Sequence, residues 1–491
     1  MKQVCLRDLL AATAGKAIGI DNDNVDFDCI KTDSRQVYPG DVFWPLQGER
    51  HDGHDFVTES LRRGALACVV EQQKTPSISG RFVIVDDSLK ALWNFSRWYR
   101  GIQDALVIGV TGSFGKTTTR EMIHVTLARQ RKGTRSPHNY NNRFGVPLSL
   151  LQIEPEHEFA VLELAASQCG EIRQLTNIAM PKVGVVTGIG PAHLDGFGSV
   201  DQIVREKSDL LEILPEDGFA VLAGDDASVR DMAPRARCRV IFVGCSVDND
   251  LRAMDINTQR NRLSFRVESQ QYKMNIAGRH HVTSALAAIA IAREVGMDKG
   301  QIAAGLQEFQ PASGRCQIRK IGPWTVIDDS YNANPKSVLS ACDVLADWKG
   351  ANQKLLAIGD MLELGDESCR YHYEVGRQVA VAGIDHLTAY GSQAKHIIRG
   401  ARDAGMDGDC LDACKVFNDL LESLKRRLQP DDVVLVKGSR TMHMERVVQW
   451  LNHQSKELIN SHHPYKQVGM RIANGSAVCE GFAGIQASFN R

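Results

Sequence analysis

From residue 107 onward, short apolar runs alternate with stretches in which apolar residues recur every three or four positions. Residues 106–110 form one such run, and 116–129 follow with helical periodicity. Runs at 160–164 and 183–189 precede a periodic stretch at 200–214, where Ile203, Leu210, Leu211 and Leu214 share a face. Runs at 219–223 and 240–243 continue the pattern. The alternation restarts after Pro311, with strand-type runs at 324–327, 355–358, 387–390 and 433–436. Helical stretches near 336–348, 370–382, 394–404 and 416–428 lie between them. Strands separated by amphipathic helices predict mostly parallel sheets covered on both faces.

The first hundred residues differ, with short strands, the turn signals Y-P-G-D and H-D-G-H, and a helix near 58–63. They predict a small separate α/β domain. After Ser455 the periodicity fades, and the tail has no assigned role. The expected division is 1–103, 104–311, 312–455 and a tail at 456–491. The fold class is α/β in three domains: a small N-terminal one, a central parallel-sheet one and a C-terminal Rossmann-like one. A chain of 491 residues accommodates that number, since domains run to about 100–200 residues each.

Composition narrows the partners. The formal net charge of −1 favours neither nucleic acid nor an anionic membrane. The twelve cysteines include no C-x-x-C pair, and Cys410 and Cys414 have no nearby histidines. They read as reduced thiols of a cytoplasmic protein. The pairs His51/His54 and His462/His463 lack the further ligands of a zinc site. The first residues, M-K-Q-V-C-L-R-D-L-L, have no apolar core long enough for a signal peptide, and the longest helical apolar run, 285–292, falls short of the ~20 residues that span a bilayer.

Residues 109–119 read G-V-T-G-S-F-G-K-T-T-T. A strand, a Gly-rich turn and a helix opening on Lys116 make an anion cradle in which backbone N–H groups face phosphates. Gly112, Ser113, Phe114, Gly115, Thr117 and Thr118 would line it. Lys116 would bridge the β- and γ-phosphates, and the Thr117 hydroxyl would reach Mg²⁺. Val110 stands where the common G-x-x-x-x-G-K-T pattern has its first glycine. ATP chemistry needs cations, and Glu163, His193 and Lys207 are candidate ligands at sheet edges, with Asp195 an alternative.

Other stretches have their own readings. Ser34 and Arg35, in T-D-S-R, could grip a nucleotide diphosphate. Asn141 and Asn142 offer amides to a peptide substrate, or are plain turn residues. Residues 328–335, D-D-S-Y-N-A-N-P, lie where a strand gives way to a helix, and Asn334 before Pro335 reads equally as a helix cap. Lys437, Ser439 and Arg440 start a helix after a strand and suit a carboxylate or phosphate.

The T-G-S-x-G-K-T-T loop resembles that of the Mur ligase superfamily, enzymes that activate a carboxylate with ATP and join it to an amine. H-N-Y-N-N-R-F-G-V-P-L-S-L-L, D-D-S-Y-N-A-N-P, G-D-M-L-E-L-G and V-K-G-S-R-T-M-H-M-E-R-V-V extend the resemblance over residues 30–450. They point to the branch that adds D-alanyl-D-alanine to a UDP-N-acetylmuramoyl-tripeptide through an acyl phosphate. The resemblance implies ATP and two Mg²⁺ ions, with Thr117, Glu163, His193 and a carbamylated Lys207 as ligands. It implies catalytic roles for Lys116, His193, Lys207 and Asn332. Arg315 and Asp329 would meet the nucleotide, Asp329 at the ribose. Tyr331, Asn332 and Asn334 would lie by the reacting groups, Ser34 and Arg35 at the UDP end, and Lys437, Ser439 and Arg440 at a substrate carboxylate. The implied enzyme is a monomer. Two departures stand out. Glu206 precedes Lys207 where the superfamily has a small residue, and G-R-H-H-V-T-S-A replaces G-R-H-N-x-x-N-A, placing His281 and Ser284 at the adenine positions. The rival readings are a related ligase with another acid or amine, and a non-catalytic relative that binds nucleotide or precursor.

Overall fold

The computed structural model describes residues 1–461 apart from 28, 49 and 50. The His462/His463 pair and most of the expected tail lie outside the described residues.

A seven-stranded, all-parallel sheet forms the centre of the molecule. Its strand Leu106–Thr111 is flanked by Phe159–Glu163 on one side and Val183–Val186 on the other. The strands read as unbroken apolar runs because both faces are covered. Ile108, Val110, Val161 and Val185 pack on one face, and Val107, Leu162 and Val186 on the other. Helix Lys116–Leu127 returns from the sheet's carboxyl edge and packs beside helix His281–Glu294. The latter is apolar nearly all round, as a helix buried in a large core must be.

The C-terminal sheet has six strands, five of them parallel and one, Gln317–Ile321, antiparallel at the edge. The N-terminal domain has a five-stranded, mostly parallel sheet. Helix Ser88–Gly101 ties it to the central domain: Tyr99 donates its hydroxyl to the Ile153 carbonyl at 2.5 Å and Trp93 its indole N–H to the Arg143 carbonyl at 2.8 Å.

Two parts of the architecture depart from the expected pattern. An antiparallel three-stranded sheet, Met254–Gln259, Arg262–Val267 and Gln270–Met274, sits in the central domain. The alternation of R-L-S-F-R-V carries its signal, with Leu263, Phe265 and Val267 turned inward. The chain after 455 is also not an unpatterned extension from its start. Helix Glu445–Ser461 runs through that point, because Val448, Leu451 and Ser455 share one buried stripe. Gly322 leaves room for it, since a β-carbon there would lie 2.6 Å from that of Ser455.

Candidate active site

Strand Leu106–Thr111 ends at Gly112, whose φ of 146° only glycine tolerates well and where a β-carbon would collide with Thr187 Oγ1 at 2.1 Å. The loop is held by Ser113, whose N–H donates to the Gly188 carbonyl and whose hydroxyl donates to that of Gly190. Phe114 packs its ring against Gly188. Gly115, in the left-handed region at φ 78°, turns the chain into helix Lys116–Leu127. Thr117 and Thr118 lie in its first turn. Lys116 donates to the Gly112 carbonyl at 2.7 Å, folding back over the cradle.

Glu163 closes the adjacent parallel strand at the same sheet edge and is 2% exposed. Thr117 donates its hydroxyl to Glu163 Oε2 at 2.9 Å, and Asn141 donates its amide to Oε1 at 2.9 Å. Arg120, buried, donates to Oε2 at 3.3 Å and to the His138 carbonyl at 2.8 Å. Asn141 is thus committed to the carboxylate rather than held out to a peptide. Asn142 accepts the N–H groups of Phe144 and Gly145, fixing the start of helix Gly145–Leu150.

Lys207, on helix Val200–Ile213, is 3% exposed. Burial lowers its ammonium from 10.5 to about 7, and the Lys116 charge adds to the effect. Burial also lowers Lys116, with Arg315 pressing the same way against the pull of Glu163. Lys116 thus feels the charge of Arg315, and Lys207 that of Lys116, an arrangement at the phosphate loop that an anion relieves. Glu206 pulls Lys207 the other way, yet it is committed to backbone elsewhere. Its carboxylate accepts the N–H groups of Gly170 at 2.6 Å and Ile172 at 2.7 Å, at the start of helix Glu171–Ala179. That explains a buried glutamate beside the buried lysine.

His193 sits in a left-handed turn, φ 55°, before the short helix Leu194–Phe197. Its Nδ1 pairs with the carboxylate of Glu363, from the C-terminal domain. Asp195 also approaches that domain, near Gly365.

On the C-terminal side, strand Trp324–Asp329 delivers the D-D-S-Y-N-A-N-P loop. Asp329 accepts the Cys316 N–H at 3.0 Å and pairs with Lys437 at 2.6 Å. Lys437 is 2% exposed and also donates to the Asn332 carbonyl at 2.9 Å. It holds this loop rather than offering a free cation to a carboxylate. Ser439, also buried, accepts the Leu362 N–H and touches the Ala333 carbonyl, joining the G-D-M-L-E-L-G loop to the same structure. Asn334 is a helix cap, accepting the Ser337 N–H at 2.9 Å while Ser337 Oγ accepts its own N–H. Asn332 remains exposed. Tyr331 carries two guanidinium groups on its ring, Arg315 at 4.0 Å and Arg440 at 5.5 Å. Arg440 is exposed and weakly paired with Glu445.

At the nucleotide end, His281 and Ser284 lie on the first turn of helix His281–Glu294 and are both buried. Ser284 accepts the Thr119 hydroxyl at 2.8 Å, so it braces the phosphate-loop helix. Burial drives His281 well below its usual range, which leaves its ring neutral. In the N-terminal domain Ser34 is buried, whereas Arg35 is exposed and folds onto Asp33 at 2.7 Å. An exposed pair of this kind opens cheaply. These residues, in the first domain, are grouped with no others of the predicted set.

Four participants escaped sequence reading. Arg120 and Thr119 are helix positions whose direction only packing reveals. Lys336 of the C-terminal domain reaches the Ile189 carbonyl and pairs with Asp226 at 3.1 Å in the central one. Glu363 belongs to G-D-M-L-E-L-G, and its proximity to His193 has no sequence signal.

A phosphate loop at the carboxyl edge of a parallel sheet, in contact with a second α/β domain, defines the class as a P-loop nucleotide-binding protein. Three Mur ligase patterns match along the chain: the Mur ligase family catalytic domain at residues 26–90, the middle domain at 110–292 and the glutamate ligase domain at 314–440. The chain belongs to the Mur ligase family. It is 33% identical over 436 residues to the UDP-N-acetylmuramoyl-tripeptide–D-alanyl-D-alanine ligase of Bacillus subtilis, covering 88% of this chain and 93% of that one. It superposes on MurF from Acinetobacter baumannii with a TM-score of 0.85 at 31% identity, covering 92% and 99% of the two chains. Against MurF ligase from Thermotoga maritima in complex with ADP the TM-score is 0.79, at 29% identity, over 88% and 98%. No helix among the described residues is long and apolar enough to cross a membrane.

Proposed function

We propose that this chain is an ATP-dependent ligase that joins D-alanyl-D-alanine to UDP-N-acetylmuramoyl-tripeptide, a step of peptidoglycan precursor synthesis. Kinship along nearly the full length with ligases of that name carries the reading. The geometry supports it, since the cradle and the Glu163 carboxylate share one sheet edge, with Arg315 and Lys207 electrostatically coupled to Lys116.

ATP lies in the loop of Gly112, Ser113, Phe114, Gly115, Lys116, Thr117 and Thr118, with His281 and Ser284 toward its base, Asp329 toward its ribose and Arg315 reaching across. Ser34 and Arg35 hold the UDP end of the other substrate. The tripeptide carboxylate attacks the γ-phosphorus, and the P–O bond to ADP breaks, giving an acyl phosphate. The dipeptide amine, neutral when it reacts, then attacks the carbonyl and expels phosphate. Lys116 and Arg315 balance the charge that builds on the transferring group. Asn332, exposed beside the cleft, and Arg440 with Tyr331 orient the incoming dipeptide.

The residues present fit Mg²⁺. Glu163 and the Thr117 hydroxyl are already in contact, and pairing of His193 Nδ1 leaves Nε2 as a ligand atom. A Lys207 amine poised near neutrality suits carbamylation, which needs the uncharged form. Magnesium, when bound, neutralises phosphate charge. We place the enzyme in the cytoplasm as a monomer, divided at 1–103, 104–311 and 312–455.

Phosphate release from ATP, measured with each substrate omitted in turn, tests the proposal. Release that requires both UDP-tripeptide and D-alanyl-D-alanine supports it. Release with neither, or with a different acid or amine only, overturns it.

A further inference from the structure

One cluster of ligand-type side chains lies apart from the proposed Mg²⁺ ligands, and one of its members, His281, also stands toward the ATP base in the proposed function. His280 and His281 stand at the start of helix His281–Glu294, and Cys316 lies in a left-handed turn, φ 54°, directly before strand Gln317–Ile321. One ring nitrogen of each histidine and the Cys316 Sγ all lie within 4.8 Å of one another. The two imidazole rings are 3.9 Å apart.

Two features point to a ligand. His281 Nε2 is buried without a hydrogen-bond partner, and leaving such a group unsatisfied costs about 1–3 kcal/mol. The Cys316 thiol is buried as well, with only a 3.8 Å contact to the Ala277 carbonyl. His280, by contrast, is exposed and gives an ion a way in. A tetrahedral zinc site with bonds of about 2.0–2.3 Å sets its ligand atoms roughly 3.3–3.8 Å apart, so side-chain movements of an ångström or so close this triangle. Two imidazoles and a thiolate, with no carboxylate, select a borderline-soft ion over Mg²⁺.

The ligand set belongs to this chain rather than to the pattern it resembles, which has asparagine at position 281. We propose that His280, His281 and Cys316 bind one zinc-type divalent ion, with a fourth position open on the His280 side. Binding displaces the thiol proton to solvent as the metal–sulfur bond forms, and no electron is transferred. The ion ties the central domain's helix to the first strand of the C-terminal domain. Through the Cys316 N–H it also adjoins Asp329. It therefore links the two domains directly beside Asp329.

The test uses the full-length, metal-free protein titrated with Co²⁺ under reducing conditions, and its readout does not depend on catalysis. The expected result is a thiolate-to-cobalt charge-transfer band that saturates at one equivalent and is abolished by Zn²⁺. Cys316→Ser should lose the band while keeping the native circular dichroism, and His281→Asn should weaken affinity at least tenfold. Absence of the band in the unaltered protein overturns the proposal, as does its persistence in Cys316→Ser. If Cys316→Ser does not fold, the exposed His280→Ala decides: affinity at least tenfold weaker upholds the site, and unchanged affinity overturns it.

Discussion

Glu363 holds the His193 turn from across the domain boundary, with its carboxylate on His193 Nδ1 and its carbonyl accepting the Leu194 N–H at 2.7 Å. Both residues adopt left-handed backbone, φ 55° for His193 and 62° for Glu363. Non-glycine residues are held there only where surroundings over-determine them. The carboxylate fixes which imidazole nitrogen carries the proton and leaves Nε2 for a ligand. The orientation of His193 therefore depends on a contact from the C-terminal domain.

With His193 in its proposed ligand role, Glu363→Gln should lower kcat by roughly 10–100-fold, the usual effect of removing a carboxylate behind a ligating histidine. ADP affinity should hold within a few-fold, because the phosphate loop is untouched. Steady-state kinetics beside ADP titration calorimetry check this, and an unchanged kcat would discard the latch.

Lys116→Ala removes the cation folded over the cradle. Ligation should fall by about 10²–10³-fold or more, while binding of the UDP-linked substrate, held in another domain, stays near normal. Equilibrium binding of that substrate measures the second half, and loss of both would indicate global damage.

Lys207 gives a pH prediction with a definite sign. Its amine is near 7 in the folded chain and 10.5 when exposed, so folding disfavours the charge. The cost is full below pH 7, shrinks between 7 and 10.5, and vanishes above. Lys207→Met removes a penalty of roughly 3–5 kcal/mol at neutral pH. In carbonate-free buffer the variant should melt higher than the parent at pH 7, with the gain shrinking toward pH 10. It should also be inactive. A lower Tm at pH 7 would refute the buried-charge account.

Glu206→Ala strips the N–H groups of Gly170 and Ile172 of their acceptor. Gly170 is exposed and can turn to water, but the buried Ile172 donor left unpaired costs about 1–3 kcal/mol, so thermal unfolding should begin a few degrees lower. Glu206→Gln, which keeps an acceptor oxygen, should recover part of the loss. Equal loss in both would show that charge at the helix start, not hydrogen bonding, dominates.

The two asparagines of the D-D-S-Y-N-A-N-P loop should separate. Asn334→Ala loses a helix cap and about 1 kcal/mol of stability, with KM for the dipeptide shifted little. Asn332→Ala, at an exposed position, should leave Tm unchanged and raise that KM or lower kcat. The reverse outcome would exchange the two assignments.

Much of this molecule was legible in one dimension. Apolar runs of four to six residues between amphipathic stretches can satisfy their backbone only as strands in a sheet covered on both faces. Gly112 through Thr117 spell the cradle because glycine conformations and a helix start are local properties. Local pairing also explains why R-L-S-F-R-V betrays its antiparallel sheet once its alternation is followed. The direction of a polar side chain is a different matter. Whether Asn141 faced a substrate or Glu163, whether Lys437 was free or bound to Asp329, and whether Glu206 was a misfit or the acceptor for Gly170 and Ile172 depended on partners far apart in sequence. Burial makes each such group find a partner, and only packing decides which one. The meeting of His193 with Glu363, 170 positions apart, is set by how two domains close, which no stretch of either one records.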